Sequence, residues 1–255
     1  MTPPRIFDRR TYGLRRARTE RAGAQSLLVE DVTDNLCLRI AAMRRTFGRA
    51  LDLQSRSQSF ERLRPLAETW VRTAFAPACE TVVADEEALP FAEKSFDLVT
   101  SVLSLHAAND VPGALIQIRR ALAPGGLFVA GVFAGATLQE MRRAFAAAEA
   151  ETSGGISPRV APFADVRDWG ALLHRAGFAM PVADTEQTIV RYGDFFTLVR
   201  DLRALGETNA LAERRRTPLR RDTLASAAAH YLSQYGEPDG RMRATFEVVY
   251  LTGWA

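Results

Sequence analysis

The sequence predicts one α/β domain built on a doubly wound, mostly parallel sheet. Two apolar runs carry the prediction. Phe96-Asp97-Leu98-Val99-Thr100-Ser101-Val102-Leu103 and Leu127-Phe128-Val129-Ala130-Gly131-Val132-Phe133 have apolar residues on both faces. Strands of that kind lie at the centre of a parallel sheet covered by helices. Between them, residues 111–122 carry Leu115, Ile116, Ile118 and Leu122 at helical spacing, and Ala123-Pro124-Gly125-Gly126 ends that helix. Strand–helix–strand alternation implies a right-handed crossover and a doubly wound sheet. A chain of 255 residues, 47% hydrophobic and 25% charged, suits one large packed domain and excludes disorder.

The other elements follow in order. Residues 5–47 read as helical, because Leu27, Leu28, Val32, Leu36, Ile40 and Met43 share one face. Arg49-Ala50-Leu51-Asp52-Leu53 is the first strand, Trp70-Val71-Arg72-Thr73-Ala74-Phe75 the second and Thr81-Val82-Val83-Ala84 the third. Helices are predicted over 138–151 and 166–176, with a Gly-rich loop at Ser153-Gly154-Gly155 between them. Pro181-Val182-Ala183-Asp184 reads as a strand. Residues 194–236 read as mainly helical with a charged break at 213–216, and Tyr192, Phe195 and Phe196 are expected to pack those helices onto the sheet. The alternating segment 244–254 reads as an antiparallel strand at or near the sheet edge. The chain divides into a helical N-terminal extension, 1–47, and a main domain, 48–255, with the helical insertion at 194–236.

Composition narrows the function classes. Net charge is +3, from scattered arginines with acids close by, and no concentrated basic face with interleaved aromatics points to nucleic acid. The two cysteines, Cys37 and Cys79, make no metal-ligand spacing, and no nucleophilic triad is visible. No apolar run approaches the roughly 20 residues of a membrane helix.

Ala84-Asp85-Glu86-Glu87-Ala88-Leu89-Pro90-Phe91, followed by Ser95-Phe96-Asp97-Leu98-Val99, resembles the signature of class I S-adenosylmethionine-dependent methyltransferases. Leu122-Ala123-Pro124-Gly125-Gly126 is similar to the turn before the fifth strand of that fold. Further stretches bring a closer resemblance: Ile6-Phe7-Asp8-Arg9, Leu103-Ser104-Leu105-His106 with Asn109-Asp110, Gly154-Gly155-Ile156-Ser157-Pro158, Arg175-Ala176-Gly177-Phe178, Arg221-Asp222-Thr223 and Gly253-Trp254. Together they resemble the respiratory complex I assembly factors of methyltransferase fold, mitochondrial and alphaproteobacterial, which are linked to arginine hydroxylation on a complex I subunit. The chain is also similar to the malonyl-carrier-protein methyltransferase of biotin synthesis. The resemblance covers 5–255 and is weakest over 54–80. It implies S-adenosyl-L-methionine as cofactor and a protein partner or substrate, a complex I subunit. The matching residues begin within the first few positions, so a cytoplasmic protein of bacterial type, without a cleaved presequence, is expected.

In that family the first strand leads into a D-L-G-x-G-x-G loop. Here Asp52-Leu53 is followed by Gln54-Ser55-Arg56-Ser57-Gln58, without any of the three glycines that let a backbone approach its ligand. The family's carboxylate after the second strand, which receives the ribose hydroxyls, is also missing from Thr73-Ala74-Phe75-Ala76-Pro77. The resemblance makes Asp52, Asp85 and Glu86 the cofactor-binding candidates, with Asp85 on the adenine side. Plainer readings stand beside these: Asp52 as a helix cap, Asp85 and Glu86 as a solvated acidic turn. His106 follows a buried strand and is the catalytic candidate, as general base or substrate contact, or else a loop histidine. His174 and His230 read as structural, and Arg56 as a surface arginine or else a partner for an anionic ligand or a carboxylate. Two functions stay open: an enzyme acting on a respiratory-chain protein with S-adenosylmethionine, and a binding module that has lost that cofactor and serves as an assembly partner.

Overall fold

The computed structural model describes residues 5–255; the first four positions of the N-terminal extension lie outside the described residues. The extension forms two helices, α1 (Arg9–Arg21) and α2 (Leu27–Ala42). Asp8 starts α1, its carboxylate accepting from the Thr11 amide at 2.9 Å. The main domain then runs β1 (Phe47–Leu53), α3 (Ser57–Leu63), β2 (Ala67–Ala74), β3 (Val82–Val83), β4 (Phe96–Val102), α4 (Val111–Ala121), β5 (Leu122–Phe133), α5 (Gln139–Ser153), α6 (Val166–Arg175), β6 (Ala179–Tyr192), α7 (Phe195–Leu205), α8 (Arg221–Tyr235) and β7 (Met242–Trp254).

The strands form one seven-stranded sheet in the order β3-β2-β1-β4-β5-β7-β6. Pairing is parallel from β3 to β5 and antiparallel for β7 against both β5 and β6. The predicted doubly wound, mostly parallel sheet is therefore present, and Leu51 pairs with Val99 as neighbouring central strands require. The period of two along β5 explains its burial on both sides. Leu127, Val129 and Phe133 enter a core shared with α2, α5, α7 and α8, whereas Phe128, Ala130 and Val132 enter a second core under α4 and α6. A third, small cluster of Phe7, Tyr12, Ala107, Ala210 and Leu211 closes over the carboxyl ends of the central strands. It is held by the Asp8 amide on the Ala210 carbonyl and the Ala212 amide on the Ile6 carbonyl, both 2.8 Å.

The final strand is antiparallel and near the edge, as expected: β7 lies between β5 and β6, and β6 is the edge. The polar residues of β7 are satisfied from inside, Thr245 by the Glu140 carboxylate at its amide (3.2 Å) and Glu247 by the Thr137 hydroxyl at its amide (3.0 Å). Other expectations need correcting. The edge strand β6 is far longer than 181–184, because its outer half is polar and pairs along the whole of β7. The turn after α4 lies within β5: Leu122 already pairs with Phe96, the register shifts, and Gly125 takes φ +71° in the loop that follows. Residues 194–236 are two helices joined by 206–220, which contains the expected charged break. Tyr192 and Phe195 are buried in the core as expected, but Phe196 is exposed.

Candidate functional site

The carboxyl ends of β1, β2 and β4 converge at the place where open α/β sheets bind ligands. β1 ends at Leu53, and Gln54 turns the chain with φ +60°. That left-handed conformation suits glycine and costs a side-chain-bearing residue about 1–2 kcal/mol. The loop has thus kept a glycine's backbone and added a side chain to it. The added amide reaches across the strand ends, Nε2 donating to the Ala84 carbonyl at 2.6 Å, while the Gln54 amide donates to Thr73 Oγ1 at 3.2 Å.

Asp52 is fully buried. Thr100 Oγ1 donates to its Oδ1 at 3.2 Å, whereas Oδ2 has no hydrogen-bond partner among the described residues and lies 3.9 Å from Arg72 Nε. Burial pushes its carboxyl up to about 6. Asp52 does not cap the next helix, whose N-cap position is Arg56.

Asp85 and Glu86 are not a solvated turn. Arg9, from the start of α1, donates through Nη2 to Asp85 Oδ1 at 2.6 Å and through Nε to Oδ2 at 3.2 Å. The same Nη2 donates to Glu86, which is fully buried and also accepts from the Ser104 hydroxyl. Glu87 stands 3.7 Å away. Burial alone would lower Arg9, but Glu86 and Asp85 outweigh it and raise its pKa further. The N-terminal helix therefore sits on two of the three carboxylates that the resemblance assigns to the cofactor, Asp85 and Glu86.

His106 lies in a short 3-10 turn after β4, and its Nε2 is 3.2 Å from Glu207 Oε2. Nδ1 has no partner among the described residues. Glu207 Oε1 accepts from Tyr12 Oη at 3.2 Å, Arg16 Nη1 at 3.4 Å and Arg56 Nη2 at 3.4 Å. Burial raises the Glu207 carboxyl, but His106, Arg16 and Arg56 outweigh it and hold it down to about 2. Arg56 is not a surface residue: it is 6% exposed, its Nη2 also donates to the Leu205 carbonyl, and its Nε and Nη1 have no partner among the described residues. Burial and the neighbouring Arg16 lower its pKa to about 10. Arg16 donates on to the carbonyls of Gln54 at 2.5 Å and Leu103 at 3.0 Å.

This cluster separates two cavities. One, of about 420 Å³, is lined by Arg16, Arg56 and Arg72 and by the wall 73–78. The other, of about 170 Å³, holds Glu207 and His106 at one side and Tyr12, Phe133, Phe163 and Phe246 around it. Sequence reasoning missed Arg9, Arg16 and Glu207. Their roles arise from packing between segments 76 to 191 positions apart, which no local spacing signals. His230 pairs with Glu151 at 2.9 Å on α8, away from this site. Both cysteines are free, and no cluster of metal-ligating side chains exists among the described residues. No helix among them is long and apolar enough to cross a membrane.

Residues 48–130 match the family described as a methyltransferase domain. The chain is 40% identical over 241 residues to the arginine-hydroxylase NDUFAF5, mitochondrial, of Danio rerio, covering 89% of this chain and 74% of that protein. The human protein of the same name is 47% identical over 174 residues, 68% of this chain and 50% of its own length. The malonyl-[acyl-carrier protein] O-methyltransferase of Halorhodospira halophila is 40% identical over 185 residues, 72% of this chain and 59% of its own. Among solved structures, the YcgJ protein of Bacillus subtilis shares the fold, with a TM-score of 0.57 at 13% identity over 86% of this chain and 97% of that one. On its sequence identity and its sheet order, the chain belongs to the NDUFAF5 family of methyltransferase-fold proteins.

Proposed function

We propose that this protein serves the assembly of respiratory complex I in the cytoplasm by acting on an arginine side chain of one of its subunits. The observation that carries the proposal is the aromatic pocket closed by an ionised carboxylate. Tyr12, Phe133, Phe163 and Phe246 line about 170 Å³ beside Glu207 and His106. Aromatic faces suit the stem and planar head of an arginine, and a carboxylate suits its charge. Glu207 Oε1 is already taken by Arg16, Arg56 and Tyr12 and Oε2 stands 3.2 Å from His106 Nε2, so an incoming guanidinium meets the rings and shares Oε2 with the imidazole. His106, with Nδ1 free of a partner among the described residues, is the side chain placed against it. The name arginine-hydroxylase, carried by the relatives, agrees with this substrate class.

S-adenosyl-L-methionine is the cofactor that the resemblance implies, and we read the residues present as a poor fit for it. Arg9 covers Asp85 and Glu86, Gln54 spans the strand ends to Ala84, and residues 73–77 at the end of β2 hold no carboxylate. These observations favour a second reading, a partner-binding assembly factor that works without that cofactor. The experiment is affinity capture of the tagged chain in its source organism, with a deletion strain alongside. Capture of a complex I subunit, lost when one arginine of that subunit is replaced by lysine, is the expected result. Full assembly of complex I in the deletion strain would sink the proposal.

A further inference from the structure

We propose that the 420 Å³ cleft between α1 and the ends of β1 and β2 is a binding site for a small organic phosphate. The proposal stands independently of the complex I reading, because it concerns the opposite side of the Glu207 cluster. The cleft is lined by four arginines, Arg16, Arg21, Arg56 and Arg72, and two acids, Glu20 and Glu80, while Glu207 behind Arg16 and Arg56 and Asp52 behind Arg72 offset part of the positive charge. Glu80 is exposed, and Glu20 is engaged with the Ser57 amide at 3.0 Å. Cationic donors without partners are buried here. Arg56, 6% exposed, leaves Nε and Nη1 without a hydrogen-bond partner among the described residues. Arg72 Nε has no hydrogen-bond partner among the described residues either, the Asp52 carboxylate standing 3.9 Å from it.

A buried donor without an acceptor is costly, and a buried cation more so. A phosphate ester supplies several strong acceptors and a double negative charge in one small group, and guanidinium groups are well matched to it. The remaining wall, Ala74, Phe75, Ala76, Pro77 and Ala78, offers no charge and suits the organic body of the ligand. The volume lies within the usual range of small-molecule sites, about 300–1,000 Å³. The positively charged sulfonium of S-adenosylmethionine meets the opposite situation, since these arginines repel it.

Calorimetric titration of the full chain with inorganic phosphate, adenosine 5′-monophosphate and neutral adenosine tests the proposal. The nucleotide is expected to bind at least about tenfold more tightly than adenosine. Phosphate is expected to compete with it, and added salt to weaken it. Arg72→Gln should weaken nucleotide binding. Ala76→Glu, a change on the half-buried wall that adds an acid without removing any buried pair, should weaken it too while leaving the thermal unfolding midpoint nearly unchanged. Equal binding of nucleotide and adenosine, no binding of either at millimolar concentration, or nucleotide binding unaffected in the folded Ala76→Glu protein overturns the proposal.

Discussion

Glu207 Oε2 lies 3.2 Å from His106 Nε2, across 101 positions of sequence, and this contact joins the helical insertion to the end of β4. The carboxylate is held down to about 2 from its ordinary 4.5. A depressed acid contributes stability that is present above its unfolded value and is lost as pH falls through the folded one. Glu207→Gln is therefore expected to cost about 3 kcal/mol at neutral pH, because Arg16 and Arg56 lose their counter-charge. Urea unfolding across pH should show that difference shrinking below about pH 4.5 and closing near pH 2.

Asp52 behaves with the opposite sign. Its folded value is raised to about 6 from 3.8 by burial, so it opposes folding fully above pH 6 and the penalty fades as pH falls toward 3.8. Asp52→Asn should stabilise the protein by about 3 kcal/mol at about pH 8 and by nothing below its unfolded pKa. Guanidinium unfolding of both proteins at these two pH values checks it. A loss of stability on Asp52→Asn at high pH would mean that Arg72 compensates the carboxylate more than its 3.9 Å separation implies.

Arg9 anchors α1 to Glu86, which is fully buried. Arg9→Ala leaves that carboxylate with only the Ser104 hydroxyl and should cost about 3–5 kcal/mol. Arg9→Lys should recover only part of the loss, since one ammonium cannot span Asp85 and Glu86 as the guanidinium does. Chemical denaturation gives both values.

The sheet was readable where its physics is local. Strands β4 and β5 carry apolar residues on both faces because both faces are covered, and period and composition report that directly. β7 was legible as an antiparallel strand near the edge, but not the partners of its Thr245 and Glu247: Glu140 and Thr137 come from the start of α5 and the turn before it, 105 and 110 positions away. The missing glycines were visible at once, but not what replaced them. An arginine in a loop reads as solvated, and Arg56 is buried only because the end of α7 and the residues after it bring the Leu205 carbonyl and Glu207 to it. Asp85 and Glu86 were found as a motif, and Arg9 lay in another, Ile6-Phe7-Asp8-Arg9, but nothing local showed that the one closes over the other.

Restoring the lost loop should reverse its chemistry. Glycine at Gln54, Arg56 and Gln58 removes the amide on Ala84 and the buried guanidinium, and Ala76→Glu supplies an acid after β2. A hydrogen bond to a charged group contributes about 1.5–3 kcal/mol, so S-adenosylmethionine affinity should rise by about tenfold or more. Equilibrium dialysis against the parent protein measures the change. No gain in a folded variant would place the obstruction at Arg9 instead.

Isothermal titration of the unmodified protein with S-adenosylmethionine and S-adenosylhomocysteine, at protein concentrations able to detect millimolar binding, reads the rebuilt cleft most directly. Gln54 across the strand ends, Arg9 on Asp85 and Glu86, and Arg56 beneath the loop predict millimolar binding or none. Micromolar binding of either ligand would contradict this reading and return the cleft to the family's cofactor.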